Sequence, residues 1–188
     1  EHPAVVSEPL FLHEALPGHH FQLSVQRESS LPPLRRYAYY GAYIEGWALY
    51  VERLGSQLGV YRDPRQRLWQ LQSELWRAIR LMLDVGIHVG GWSVEDALAH
   101  IRPYGYGPGM TSEIERYAAW PGQALTYKIG ELKILDLRRK AEQALGDHFD
   151  PAEFHRAILL TGPVPLHLLE YRIDRWIASK RTGSEQTP

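Results

Sequence analysis

The 188-residue sequence contains no cysteine. That absence excludes a disulfide framework, a thiolate metal site and a cysteine nucleophile, and it is compatible with either side of a membrane. Any metal must be held by histidine, aspartate or glutamate. No run approaches the roughly 18 uninterrupted apolar residues of a spanning helix, so no membrane span is expected. The chain opens on Glu1-His2-Pro3, with neither an initiator methionine nor a basic-then-apolar signal region, and reads as a soluble segment of a longer protein. Net charge is nearly missing as well, since 21 Lys and Arg against 22 Asp and Glu leave -1. Without a broad basic field there is no pull on nucleic acid or an anionic membrane, and no nucleic-acid partner is expected.

What the chain has in quantity is apolar and aromatic. Hydrophobic residues make up 44% of it, with 6 Trp and 11 Tyr, enough to bury a core without staples. Amphipathic rings in such number also line pockets, which points to a binding cleft. Residues 1–181 read as one compact domain and residues 182–188 as a frayed polar tail.

Turn signals separate long stretches of helical periodicity, and no alternating strand pattern emerges. The expected fold class is all-α, with seven or eight helices. A first helix is expected over 8–28, disturbed at Pro17-Gly18, and a second over 34–58 behind Pro32-Pro33. Asp63-Pro64 supplies an N-cap and a first-turn proline for a third, which runs to His88. Ser93 with Asp96 three residues on opens a fourth. Residues 104–109 form a loop, because three glycines and a proline in six residues favour neither helix nor strand. Helices resume over 111–118 and 122–145, again at Asp150-Pro151, and finally over 165–179.

The sharpest feature is His13-Glu14-Ala15-Leu16-Pro17-Gly18-His19-His20. A zincin helix carries His-Glu-x-x-His, with two histidines one turn apart on zinc and the glutamate polarising a water. Here Pro17 occupies the one-turn position and cannot be a ligand. His13 and His20 share a helix face, but about 10.5 Å of axis separates them, a poor fit to Zn–N bonds of about 2.1 Å. Pro17 cannot donate to the His13 carbonyl, so the helix must deform, and Gly18 gives residues the freedom to loop out. Looping brings His19 near the second ligand position, with His20 the alternative.

A third ligand is offered by Glu45 in Tyr43-Ile44-Glu45-Gly46-Trp47-Ala48. His19 lies thirteen residues before Pro32 and Glu45 twelve after Pro33. If the double-proline turn folds two helices into an antiparallel pair, these side chains fall at one level. Glu52, seven beyond Glu45, is a weaker candidate, placed behind the ligands or at the surface.

Several blocks in order resemble a known family. They are the His13–His20 motif with Phe21-Gln22, Tyr43-x-Glu45-Gly46-Trp47-Ala48-Leu49-Tyr50-x-Glu52, Asp84-x-Gly86-Ile87-His88-x-x-Gly91-Trp92-Ser93, and Arg116-Tyr117-x-x-Trp120-Pro121-Gly122-Gln123-Ala124-x-x-Tyr127-Lys128-Ile129-Gly130. Together they resemble the C-terminal half of the bacterial "domain of unknown function 885" family, itself similar at a distance to the helical gluzincin peptidases. The resemblance implies a zinc-dependent metallopeptidase acting on a peptide substrate. His13, His19 and Glu45 would be zinc ligands and Glu14 the general base. It also implies a large helical region upstream, so that a second copy or that region completes the cleft.

Supporting residues are read by spacing. Arg80, Asp84 and His88 form one polar stripe, which either contacts substrate or makes an internal ion-pair ladder. Tyr127 is the favoured oxyanion donor, and Tyr104 or Tyr106 sits on a glycine loop able to close over a substrate. Arg116 either holds a substrate carboxylate or pairs with Glu113. His2, His100, His148, His155 and His167 fit no ligand pattern. Other functions compatible with these residues are a metal-dependent hydrolase of another amide or ester, and a non-catalytic helical scaffold with a degenerate metal motif.

Overall fold

Prolines and capping side chains cut the chain into ten α-helical segments in a computed structural model that describes residues 7–184. They are α1 (Glu8–Glu14), α2 (His19–Glu28), α3 (Pro33–Arg36), α4 (Gly41–Leu54), α5 (Pro64–His88), α6 (Val94–Ile101), α7 (Thr111–Ala119), α8 (Gln123–Leu145), α9 (Pro151–Thr161) and α10 (Leu166–Ser184). No strand occurs among the described residues, and the fold is all-α as expected. The expected starts are built as capping requires. Asp63 accepts from the Arg65 amide at 2.8 Å while Gln66 reaches back to the Asp63 amide at 3.0 Å. Ser93 and Asp96 cap each other at 3.1 and 3.0 Å. Each such cap contributes about 1 kcal/mol.

Two of the eight expected helices are each broken in two. The first breaks at residues 15–18, where Pro17 has no amide proton for the His13 carbonyl. The second breaks at residues 37–40. There the buried Gln26 amide donates to the carbonyls of Arg35, Arg36 and Ala38 at 3.3, 2.8 and 3.2 Å, taking acceptors that a continuing helix would use. The helix expected to reach 58 stops at Leu54, and that expected to stop at 179 runs to Ser184. Of the expected 104–109 loop, Tyr104 falls in a short 3₁₀ turn at Arg102–Tyr104 and Pro108 and Gly109 in another at Pro108–Met110, which leaves 105–107 as the irregular part. Residues 185–188 of the expected tail, and His2, lie outside the described residues.

In α4 every residue from 43 to 52 is buried. A helix without a solvated face must be surrounded, and α8 lies directly against it. The two backbones touch through glycines: a Cβ on Gly46 would fall 2.4 Å from Gly130 Cα, and one on Gly130 would fall 1.8 Å from the Ala42 carbonyl oxygen. Around this pair α9 and α10 close one core, with Trp47, Tyr50, Ile134, Leu137, Phe154 and Ile173 buried in it. A second core joins α5, α6 and α7 through Ile79, Leu83, Ile101, Ile114 and Tyr117, and α8 reaches it with Ala124. Thus α8 belongs to both cores and ties them together. No helix among the described residues is long and apolar enough to cross a membrane.

Candidate metal centre

The break in the first helix is what assembles the site. α1 ends one residue after His13, the chain turns through residues 15–18, and α2 begins at His19 itself. Gly18 is required at the turn, because a Cβ there would lie 1.9 Å from the His13 carbonyl oxygen and 2.2 Å from that of Leu12. Trp47 of α4 fixes the turn by donating from Nε1 to the Pro17 carbonyl at 2.9 Å. The same helix carries Glu45, so α4 both supplies a carboxylate and holds the loop that positions a histidine.

His13, His19 and Glu45 converge, each offering one donor atom, all within 4.8 Å of one another. His19 Nε2 lies 3.3 Å and His13 Nε2 3.7 Å from Glu45 Oε2. Donor atoms on a tetrahedron of radius about 2.1 Å stand about 3.4 Å apart, and the two distances to Glu45 Oε2 match that spacing. Glu45 Oε2 and His19 Nδ1 are buried without a hydrogen-bond partner, although buried polar atoms are almost always paired. The exposed His20 is not in the cluster. The field favours positive charge. Burial works to lower the His13 pKa, yet Glu45 and Glu52 outweigh it and raise it to about 8. Burial likewise works to raise Glu45, but His13 and His19 hold it at about 2.

Behind His13 lies a chain of polar contacts. His13 Nδ1 is 2.7 Å from Glu52 Oε1, and Glu52 Oε2 accepts from the Ser73 hydroxyl at 2.6 Å. Arg77 donates to Ser73 Oγ at 2.6 Å and stands 3.8 Å from Glu52 Oε1. Tyr61 donates to the Glu52 carbonyl at 2.6 Å. Glu52 is 1% exposed, so it lies behind His13 and not at the surface. The sequence reading passed over Ser73 and Arg77. The signal was available, since extending the stripe of Arg80, Asp84 and His88 backward by helical steps reaches 77 and 73.

The remaining candidates are distributed around this centre. The Tyr127 ring stacks toward His13 with centroids 6.1 Å apart, and its hydroxyl accepts from Gln123 Nε2 at 3.1 Å. Glu14, the last residue of α1, is exposed, and its side chain makes no hydrogen bond or ion pair among the described residues. The polar stripe of α5 is not an ion-pair ladder. Arg80 donates to Gln123 Oε1 at 3.1 Å, Asp84 accepts from the Gly122 amide at 2.9 Å, and His88 Nε2 lies 3.1 Å from the Tyr117 carbonyl. His88 therefore joins α5 to α7 and stands outside the metal cluster. Arg116 pairs with Glu113 at 2.9 Å and also donates to Gln123 Oε1 at 3.3 Å. Tyr106 packs on Trp76 at 4.6 Å between centroids, as part of the second core rather than a free lid. Among histidines given no role, His155 is held against Tyr50 at 2.8 Å.

Comparison with known proteins bears on identity. No protein of curated function matches the chain. A solved structure described as a "putative lipoprotein" from Colwellia psychrerythraea is 48% identical with a TM-score of 0.88, over 91% of this chain and 30% of that one. Another, described as a "putative lipoprotein of unknown function" from Shewanella oneidensis, is 29% identical with a TM-score of 0.77, over 87% of this chain and 30% of that one. The chain thus spans about a third of the length of these relatives. These findings correct the expected function: a zinc metallopeptidase cleaving peptide bonds has no counterpart here, because neither structure is described as a peptidase and the matching family is one of unknown function. Residues 1–173 match the family model described as bacterial protein of unknown function, DUF885, and the chain belongs to that family.

Proposed function

We propose that His13, His19 and Glu45 form a zinc-binding centre and that the chain carries the metal-bearing part of a hydrolase. The observation that carries this reading is the convergence of two imidazole nitrogens on a buried carboxylate oxygen that has no hydrogen-bond partner. Glu52 holds a proton on His13 Nδ1, which leaves Nε2 to face the centre. Three protein ligands leave one tetrahedral position open, as in catalytic rather than structural zinc sites. When bound, zinc supplies Lewis acidity that makes water a nucleophile near neutral pH. Glu14, free of other partners, takes the proton of the attacking water and returns it to the leaving group. Tyr127, whose hydroxyl accepts from Gln123, keeps its own proton for an oxyanion developing beside His13.

Leu10, Phe11, Leu16 and Phe21, on the helices that carry both histidines and the turn between them, are exposed. In the proposed enzyme this apolar surface is covered by a second copy or by a further part of a longer chain.

Elemental analysis of protein purified without added metal tests the reading. One zinc per chain is expected, lost on replacing His13, His19 or Glu45 by alanine and retained in His20→Ala. Protein without metal that also fails to take up added zinc overturns it.

A further inference from the structure

A second concentration of buried charge adjoins Tyr127. Arg80 is 4% exposed, and a guanidinium so deep is normally met by a carboxylate. None is within 4.0 Å among the described residues, and Arg80 Nε has no hydrogen-bond partner. Its one acceptor is Gln123 Oε1 at 3.1 Å. That neutral oxygen also receives Arg116 at 3.3 Å. Both guanidinium carbons stand over the same Tyr117 ring, at 5.0 and 5.1 Å from its centroid, and Arg80 also covers Tyr127 at 4.1 Å.

The nearby carboxylates neutralise Arg116 in part and leave Arg80 without an ion-pair partner among the described residues. Glu113 accepts from Arg116 at 2.9 Å and from the Tyr117 hydroxyl at 2.8 Å. Asp84 accepts from the Gly122 amide. Two cations therefore converge on an uncharged amide oxygen, the arrangement that receives an oxyanion through paired N–H donors. Arg116, with its side chain 38% exposed, opens this pair to solvent.

We propose that Arg80 and Arg116 bind an oxyanion substituent of the substrate, a carboxylate or phosphate group, which displaces Gln123 Oε1 as their shared acceptor. The assignment to a substrate rests on the hydrolase reading above; the anion site itself does not. The Tyr127 ring touches both regions, with Arg80 at 4.1 Å and the His13 ring at 6.1 Å from its centroid, so the anion site adjoins the proposed metal centre. The centre would then select acidic substrates. Arg80 and Arg116 hold the anionic end, and Tyr127 contacts both the anion site and the reacting group.

Calorimetric titration with inorganic phosphate and, separately, benzoate tests the site on the whole chain, both as purified and after chelation. Uptake of one anion per chain is expected with and without metal, and the tighter of the two probes identifies which oxyanion is favoured. Arg116→Gln should weaken binding at least about tenfold. Gln123→Glu places a fixed carboxylate between the two guanidinium groups, so it should abolish uptake while raising Tm, which also shows that the variant is folded. Wild-type protein that takes up neither probe, or Gln123→Glu protein that binds as tightly as wild type, overturns the proposal. Uptake that survives Gln123→Glu and disappears on chelation places the anion on the metal and overturns it too. Absence of zinc with normal anion uptake would instead sink the hydrolase reading alone.

Discussion

His13 and Glu52, 39 residues apart in sequence, meet in the interior with Nδ1 and Oε1 2.7 Å from each other. A carboxylate accepts and cannot donate, so this contact selects which imidazole nitrogen faces Glu45 and His19. Glu52→Gln keeps the shape and removes the charge. Zinc affinity should fall about 10- to 100-fold, read by competition with a chromophoric chelator. An unchanged affinity in a folded Glu52→Gln protein would show that the negative charge of Glu52 plays no part in holding the metal.

Glu14 makes a prediction of a different kind, because it is asked to move a proton and not to hold metal. Glu14→Gln should retain zinc and lose roughly 10²- to 10⁴-fold in turnover of whichever chromogenic ester the wild-type protein hydrolyses. Equal turnover by a zinc-loaded variant would assign the proton to another group.

The glycine contact between α4 and α8 predicts a stability effect remote from chemistry. Gly130→Ala forces a methyl onto the Ala42 carbonyl oxygen and the Gly46 backbone, with no flexible side chain to yield. Overpacking of this kind costs about 1–3 kcal/mol, and more where backbone must move. A lowered Tm together with weakened zinc binding is expected, because Glu45 adjoins Gly46. A Tm equal to wild type would mean the helices can separate freely.

Stability should also depend on pH through His155. Burial, reinforced by the positive charge of Arg138, lowers its pKa from 6.5 to about 4, with Asp150 opposing weakly, and Tyr50 hydrogen-bonds its ring. Between these values the unfolded chain takes up a proton that the folded protein refuses. This loss of stability is absent above about pH 6.5, grows as pH falls toward about 4, and is constant below. Urea midpoints of wild type and His155→Gln, compared at about pH 7.5 and about pH 5, isolate that part of the slope. A difference between the two proteins that does not change with pH would contradict a buried, neutral His155.

The elements that were legible in sequence are those specified locally. Asp63-Pro64, Ser93 with Asp96, and Asp150-Pro151 each carry their helix start within four residues, and each start is found. His19 and Glu45 were placed at one level by counting from the double proline, and they do meet, at 3.3 Å. The path between them was misread. The break at residues 37–40 depends on Gln26, a side chain on another helix, which no local pattern reveals. The same limit hid the Arg80–Gln123–Arg116 convergence, whose members come from α5, α8 and α7. Function was less legible still, since a ligand pattern specifies what can be held and not what is cleaved.

The turn at residues 15–18 makes the distance between the two histidines a matter of whole residues. Gly18 is pressed against the last carbonyls of α1, and Trp47 grips the Pro17 carbonyl, so no slack remains to absorb a change in length. One residue inserted or deleted there would rotate every following side chain of α2 by about 100°. His20 or Gly18 would arrive where His19 belongs. The segment between the histidines is therefore intolerant of length change in a way that its loop-like composition conceals.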